Sequence, residues 1–458
     1  MSFPKIFRLL VMIPLAGLLG ASPAPAAESS AISGKVPAPV RNVILFVGDG
    51  MGIAIVTAAR IRQGEIRGME PAPSARLHLD EAPRGALVRT YSSNRIVSDS
   101  AATITSLVTG AKVANGVLSY LDGAGPGGSA HLTTLLEIAE AQGLATGIVT
   151  TTRVTHATPA GLYAHVPRRS QFERIAASLV PGINPALGDG PEIVLGGGLR
   201  SFLPEGTDGG RRSDGRNLVT ELTEAGFQVV GDRDGLGRAV GEGVGPILGL
   251  FSDSHMAYEC DRTTTAPGQP SLTEMTTAAI EVLSRDPDGF FLLVEGGRID
   301  HALHEGNAYR AIGDMLEFDR ALGEALKLPR EETLILVTAD HDHTMVISGY
   351  PPSGSLILGQ AGEDTDGVPY TTLLFANGPG AGDREDQPHA EESFHPDHRQ
   401  RAGVPLRSET HGGMDVPLYA FGPEWALSGI TGSMDNTEVF GVLRDALLGT
   451  EGREEDSR

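Results

Sequence analysis

"NVILFVGDGMG", residues 42 to 52, decides how the chain is to be read. An unbroken apolar run stops abruptly at a glycine-flanked aspartate, Asp49. A run of this kind suits a strand covered on both faces, whereas a strand with one wet face would alternate. Glycines after a strand can signal a phosphate loop. Here the Walker Lys-Ser/Thr pair is absent, and the G-x-G-x-x-G spacing is not met. What remains is a buried strand that ends in a carboxylate.

The same construction recurs in "ATGIVTTT" (145–152), "EIVLGGG" (192–198), "FFLLVEGG" (290–297), "LILVTADHD" (334–342), "TTLLFANGP" (371–379) and "VPLYAFGP" (416–423). Helical patterns such as "LTTLLEIAEAQG" and "TEMTTAAIEVLSRD" lie between them. This alternation predicts an α/β fold, a three-layer sandwich with a mostly parallel central sheet flanked by helices. Open α/β sheets bind ligands outside the carboxyl ends of their strands. Asp49, Thr152, Glu295, Asp340 and His341 all stand at such ends.

Composition narrows the partners. The chain has 458 residues and a formal net charge of −22. So acidic a protein is a poor match for a nucleic-acid backbone. Lys5, Arg8, the apolar stretch "LLVMIPLAGLLG" and Ala24-Pro25-Ala26 read as an export signal over residues 1–26. The expectation is an exported protein, periplasmic or secreted, with 27–458 as a single catalytic domain. The apolar stretch is short for a bilayer span, no cysteine follows it for lipid attachment, and the tail "GTEGREEDSR" is polar, so no membrane anchor is expected. Cys260 is the single cysteine, which excludes an intrachain disulfide. Residues 380–403 are charged and non-periodic, and they read as a surface insertion. Their His389, His395 and His398 fit a solvated loop better than a metal tract.

The chemistry is scattered over several segments. Asp300 and His304 in "EGGRIDHALHEGNAYRAIGDM" are four apart, on one face of a helix start. A carboxylate and an imidazole on one face make half a zinc site. Asp340 and His341 in "VTADHDHTM" end a buried strand, where an unpaired charge would be costly. Asp342 and His343 are the neighbouring pair, placed for the surroundings of the site or for the loop. "SETHGGMD" offers His411 beside glycines. "TTTRVTHATPAGLYAHVPRR" offers His156, Thr158, Arg168 and Arg169. In "RIVSDSAATITSLVTGAK" (95–112), Ser98 or Asp99 reads as a helix cap and Ser100 as the first residue of the helix. Each segment alone has an ordinary structural explanation. Together they supply a hydroxyl nucleophile, an arginine clamp for phosphate and ligands for more than one cation, the inventory of metal-assisted phosphoryl transfer.

"LFVGDGMG", "DSAATITSLVTGAK", "TTTRVTHATPAGLYAHV", "VEGGRIDHALHEGNAYRA", "VTADHDHTMVISGYP" and "SETHGGMDVPLYAFGP" resemble, in order and spacing, the alkaline phosphatases. The resemblance implies hydrolysis of small-molecule phosphate monoesters at alkaline pH through a phosphoseryl intermediate. It implies Ser100 as nucleophile and zinc-contacting group, and Arg169, by its offset from His165, as the phosphate clamp beside Arg168. It implies Asp300, His304 and His411 on one zinc, and Asp340 and His341 on a second. Asp49 would bridge to a magnesium site completed by Glu295, His156 and Thr158. Two zinc ions and one magnesium per subunit, a homodimer, and a crown-like insertion at 350–410 follow from the same resemblance. His156 and His301 match the animal enzymes where some bacterial members carry Asp and Lys, and His301 would face the substrate. Neutral His156 in place of a carboxylate implies weaker magnesium retention. Ser252 stands where the animal calcium site has an acidic ligand, so that site is not expected here.

Other readings fit less well. A sulfatase would need a modification motif that the sequence lacks. Related diesterases usually keep two metals and often use threonine. A serine hydrolase would need a G-x-S-x-G elbow, which is absent. A non-catalytic relative would have lost the serine or some ligands, and every expected position is filled.

Overall fold

Seven strands line up side by side in parallel, the central ones apolar and buried along their length. In the computed structural model, which describes residues 38–122, 129–382 and 392–449, every residue of Asn42–Gly48 and of Thr333–Ala339 is buried. Asn42–Gly48 lies at the centre, hydrogen-bonded in parallel to Thr333–Ala339 on one side and Phe290–Glu295 on the other. Ala145–Arg153, Ile193–Gly197, Ile247–Leu250 and Gln228–Val230 extend the parallel run outward. On the opposite flank Val416–Phe421 pairs antiparallel with both Thr333–Ala339 and Arg84–Arg89, and Ser433–Asp435 completes the ten-stranded sheet. Helices flank it, including the predicted Leu135–Ala141 and Leu272–Leu283, both opened by capping boxes.

The structure adds to the sequence reading and corrects it. Arg84–Arg89, Gln228–Val230 and Ser433–Asp435 are short and lie towards the sheet's flanks, with no continuous buried run to announce them. Ile247–Leu250 is buried but only four residues long. Leu373–Gly378 is a strand as expected, but not of the main sheet. It pairs with Met345–Ile347 and Ala402–Pro405 in a small separate sheet. Its alternating burial already marks it as a strand with one open face. Part of the 380–403 insertion is anchored: Gln400 accepts from the Ala308 amide, and Arg310 pairs with Asp397 at 2.8 Å. The export signal at 1–26, His389 and the end of the tail lie outside the described residues.

The parallel register does the positioning. Val47 is opposite Glu295, Gly48 opposite Ala339, and Thr150 opposite Glu295. Asp49, Glu295, Asp340 and Thr152 therefore emerge in a row along one edge of the sheet.

Candidate active site

Ser100 opens the helix Ser100–Thr109. Asp99 caps that helix, its Oδ1 accepting from the Ala102 amide at 3.1 Å. Ser98 does not cap it. The helix is rich in Ser and Thr, poor helix formers because their hydroxyls compete for backbone. Here the hydroxyls of Thr103, Thr105, Ser106 and Thr109 each donate to a carbonyl four residues back, so they bury without loss. Ser100 is thereby held, 2% exposed, at a helix N-terminus whose dipole favours an anion.

Around Ser100 the sheet edge and its loops bring the expected ligands together. His341 Nε2 lies 3.3 Å from Ser100 Oγ, 3.4 Å from Asp49 Oδ1 and 3.2 Å from Asp340 Oδ2. On one side, His304 Nε2 and His411 Nε2 approach Asp300 Oδ1 at 3.3 and 3.5 Å and each other at 3.1 Å. On the other, His156 Nδ1 is 4.0 Å from Asp49 Oδ2, and Asp49, His156 and Glu295 converge within 4.8 Å. Thr158, buried in the helical turn that His156 caps, completes that side.

These groups fit metal ions rather than each other. Both Asp49 oxygens, Asp340 Oδ2, Glu295 Oε1, His156 Nδ1 and Thr158 Oγ1 are buried with no hydrogen-bond partner. Burial, with Asp300, Asp340 and Glu295 nearby, pushes the Asp49 carboxyl well above its ordinary range. Burial likewise lifts Glu295 to about 7 against the hydroxyls that hold it. A set of crowded, unpartnered carboxylates and imidazoles is costly without cations, and hard and borderline cations are what this donor set binds.

Two holding devices were not legible from spacing alone. His343 Nε2 lies 2.8 Å from Asp300 Oδ1, and its Nδ1 contacts Glu409. Glu409 in turn accepts from the Thr344 amide at 2.6 Å. Burial alone would depress His343, but its hydrogen bonds to these carboxylates raise it to about 10. Asp300, despite burial, is held well below the usual carboxylate range by His304, His343 and His411. Glu409 stands two residues before His411, and the antiparallel pairing of His343 with His411 brings that loop alongside. The other device is Thr150 and Thr152, whose hydroxyls both donate to Glu295 Oε2. Gly50 explains the glycines of the opening stretch: its φ of +72° suits glycine, and a Cβ would sit 2.4 Å from His343. Its amide donates to Asp340 at 3.0 Å.

Arg169 donates to Asp99 at 3.1 Å and reaches His156 Nε2 at 3.0 Å, while Arg168 is exposed. His301 sits beside His156, ring centroids 5.4 Å apart. His395 is exposed, and neither it nor His398 joins any group of candidate metal ligands among the described residues. Ser252 donates to the His255 carbonyl at 2.9 Å.

Comparison with known proteins now decides the family, since residues 40–448 match the alkaline phosphatase family. The chain belongs to that family. It is 40% identical over 425 residues to the tissue-nonspecific alkaline phosphatase of Gallus gallus, covering 84% of this chain and 80% of that one. It is 38% identical over 426 residues to the Homo sapiens tissue-nonspecific isozyme, covering 84% and 79%. Among solved structures, Thermus thermophilus alkaline phosphatase superposes with a TM-score of 0.68 at 28% identity, covering 90% of this chain and 91% of that one. The enzyme from the Antarctic bacterium TAB5, at 23% identity and a TM-score of 0.65, shares the fold. This alkaline phosphatase is thus a metal-dependent hydrolase of phosphate monoesters.

Proposed function

We propose that Ser100 is the nucleophile of a two-step phosphoryl transfer. Its Oγ bonds to phosphorus as the ester P–O bond breaks, and the alcohol leaves. Water then bonds to phosphorus as the P–Oγ bond breaks, releasing inorganic phosphate. The observation that carries this is Ser100 Oγ at a helix N-terminus, 3.3 Å from His341 Nε2, beside Asp49 and Asp340. The helix amides favour the phosphate charge. Arg169, oriented by Asp99, offers parallel donors to two phosphate oxygens. His301 borders the same space.

The ligand sets support two zinc ions and one magnesium per subunit. Asp300, His304 and His411 would hold one zinc, Asp49, Asp340 and His341 the other, with Ser100 against it. Asp49, His156, Thr158 and Glu295 would hold magnesium. When bound, the cations would lower the pKa of the attacking hydroxyl and stabilise charge on the leaving oxygen. His156, a neutral ligand, makes magnesium retention weak.

The remaining proposals concern organisation. Residues 1–26 act as an export signal, and 27–458 form a single catalytic domain with a crown-like insertion at 350–410. Among the described residues no helix is long and apolar enough to cross a membrane. The protein works in the periplasm or outside the cell. It acts as a homodimer, a reading supported by Val346, Ile347, Tyr350, Leu356, Val404 and Leu406, all exposed in or beside the insertion.

The test is turnover of a chromogenic monoester at alkaline pH with zinc and magnesium, against a diester and Ser100→Ala. The expected result is monoester turnover that falls at least about 1000-fold in the variant. A variant as active as wild type, or cleavage of the diester alone, overturns the assignment.

A further inference from the structure

Next to the magnesium side of the site, guanidinium charge accumulates that the reaction above does not use, beside two imidazoles, His255 and His301, that burial holds far below their ordinary range and so neutral. The Arg153 amide donates to His255 Nδ1 at 3.3 Å. The His255 ring packs edge-on against His301 at 4.2 Å and against His156 at 5.4 Å. Arg298 reaches His301 Nδ1 at 2.9 Å and lies over the Tyr258 ring. Arg153 lies over Phe172 at 4.7 Å. Phe172 and Arg200 also line an adjoining cleft of about 580 Å³, together with Arg174 and Arg211.

Arg153 and Arg200 have no ion-pair partner among the described residues, whereas Arg298 lies in the field of the buried Asp314 carboxyl. The Nε atoms of Arg153 and Arg298 are buried without a hydrogen-bond partner. Among the described residues, no carboxylate oxygen comes within ion-pair distance of Arg153, Arg200 or Arg298. Glu173 lines the cleft, but it accepts from the Ser213 amide and hydroxyl. Burial together with Arg200 and Arg169 holds Arg153 down to about 10, which shows how closely the cations crowd. In a chain of net charge −22, unpaired and half-buried guanidinium groups beside an active site form a local site for an anion from solvent. The path to it is short: Arg169 contacts His156, and His156 contacts His255 and His301.

We propose that Arg153, Arg200 and His255 form a second anion subsite. It selects phosphate monoesters whose leaving group carries another phosphate or carboxylate. The chemistry at Ser100 is unchanged, because the second group only anchors the leaving side. Rejection of substrates is not involved, since a neutral leaving group simply leaves the subsite to water.

The test uses the metal-loaded full chain and matched substrates: propane-1,3-diyl bisphosphate, 3-phosphonooxypropanoate and 3-hydroxypropyl phosphate. In wild type, kcat/KM for either substrate with an anionic leaving group should exceed that for the neutral one by about tenfold at low salt, and the gap should shrink as salt screens it. Arg153→Met and Arg200→Met should each narrow the gap, and the double variant should close it. Preference for the bisphosphate alone, or for the carboxylate alone, identifies which anion the subsite reads. Binding of non-hydrolysable propane-1,3-diyl bisphosphonate gives a second readout, expected to weaken about tenfold in Arg200→Gln, whose rim position spares the fold. Equal kcat/KM for all substrates in wild type overturns the proposal. So does a gap that the double variant leaves intact, which would mean that the arginines only balance the carboxylates of the metal site.

Discussion

The two ends of the catalytic groove are built differently. Around Asp300 the ligands are braced by a buried chain of charge, His343 between Asp300 and Glu409, with Glu409 tied to Thr344. Asp300 finds three imidazoles within 3.5 Å in the protein itself. Around Glu295 the bracing is neutral, two threonine hydroxyls, and the ligand atoms facing inward have no protein partner. Beyond them lie His255, His301 and the guanidinium groups of Arg153 and Arg298. The first end is pre-organised by its own hydrogen bonds. The second, whose inward-facing donors have no partner in the protein, relies more on the cation it receives.

Breaking the bracing of the first end should have the largest effect. Glu409→Gln should uncouple His343 and cost about 10- to 100-fold in zinc affinity at Asp300, His304 and His411, read by chelator competition. An unchanged affinity would show that the ligands alone fix the geometry. Gly50→Ala tests the same end through the backbone. A left-handed alanine costs about 1–2 kcal/mol, and its methyl would also press on His343, so the unfolding midpoint should drop and zinc should dissociate faster. Normal zinc retention in a destabilised variant would separate the turn from the site.

Asp99 belongs to neither end and calibrates both. Asp99→Ala removes the helix cap, at about 1 kcal/mol, and frees Arg169. KM should rise more than kcat falls, with metal content unaltered. The smallest effect is expected at the second end. His156→Asp adds a third carboxylate there and should raise magnesium retention on dialysis by a few-fold. Retention equal to wild type would mean that charge does not limit magnesium at this site.

Much of this was legible because the relevant physics is local. A buried parallel strand must be apolar throughout, so "NVILFVGDGMG" and "LILVTADHD" announce both the strand and the polar residue that ends it. The helix spacing puts Asp300 and His304 on one face without any knowledge of the fold. Even the cap at Asp99 can be read from residue type. The strand Leu373–Gly378 was legible as a strand but not as a member of the small outer sheet, since pairing partners leave no mark within a segment.

The sequence by itself determined the α/β layering, the residues at the strand ends and the serine at the helix start, because each follows from periodicity, solvation or capping within a few residues. Only the tertiary structure decided that Glu409 braces His343, that Arg169 rather than Arg168 turns towards Asp99, and that Arg153 meets His255. Those contacts join residues far apart in the chain, His343 with Glu409 at 66, Arg169 with Asp99 at 70 and Arg153 with His255 at 102. A charged side chain in a loop reads the same whether it faces water or a buried partner, and the packing of the sheet's loops alone determines which.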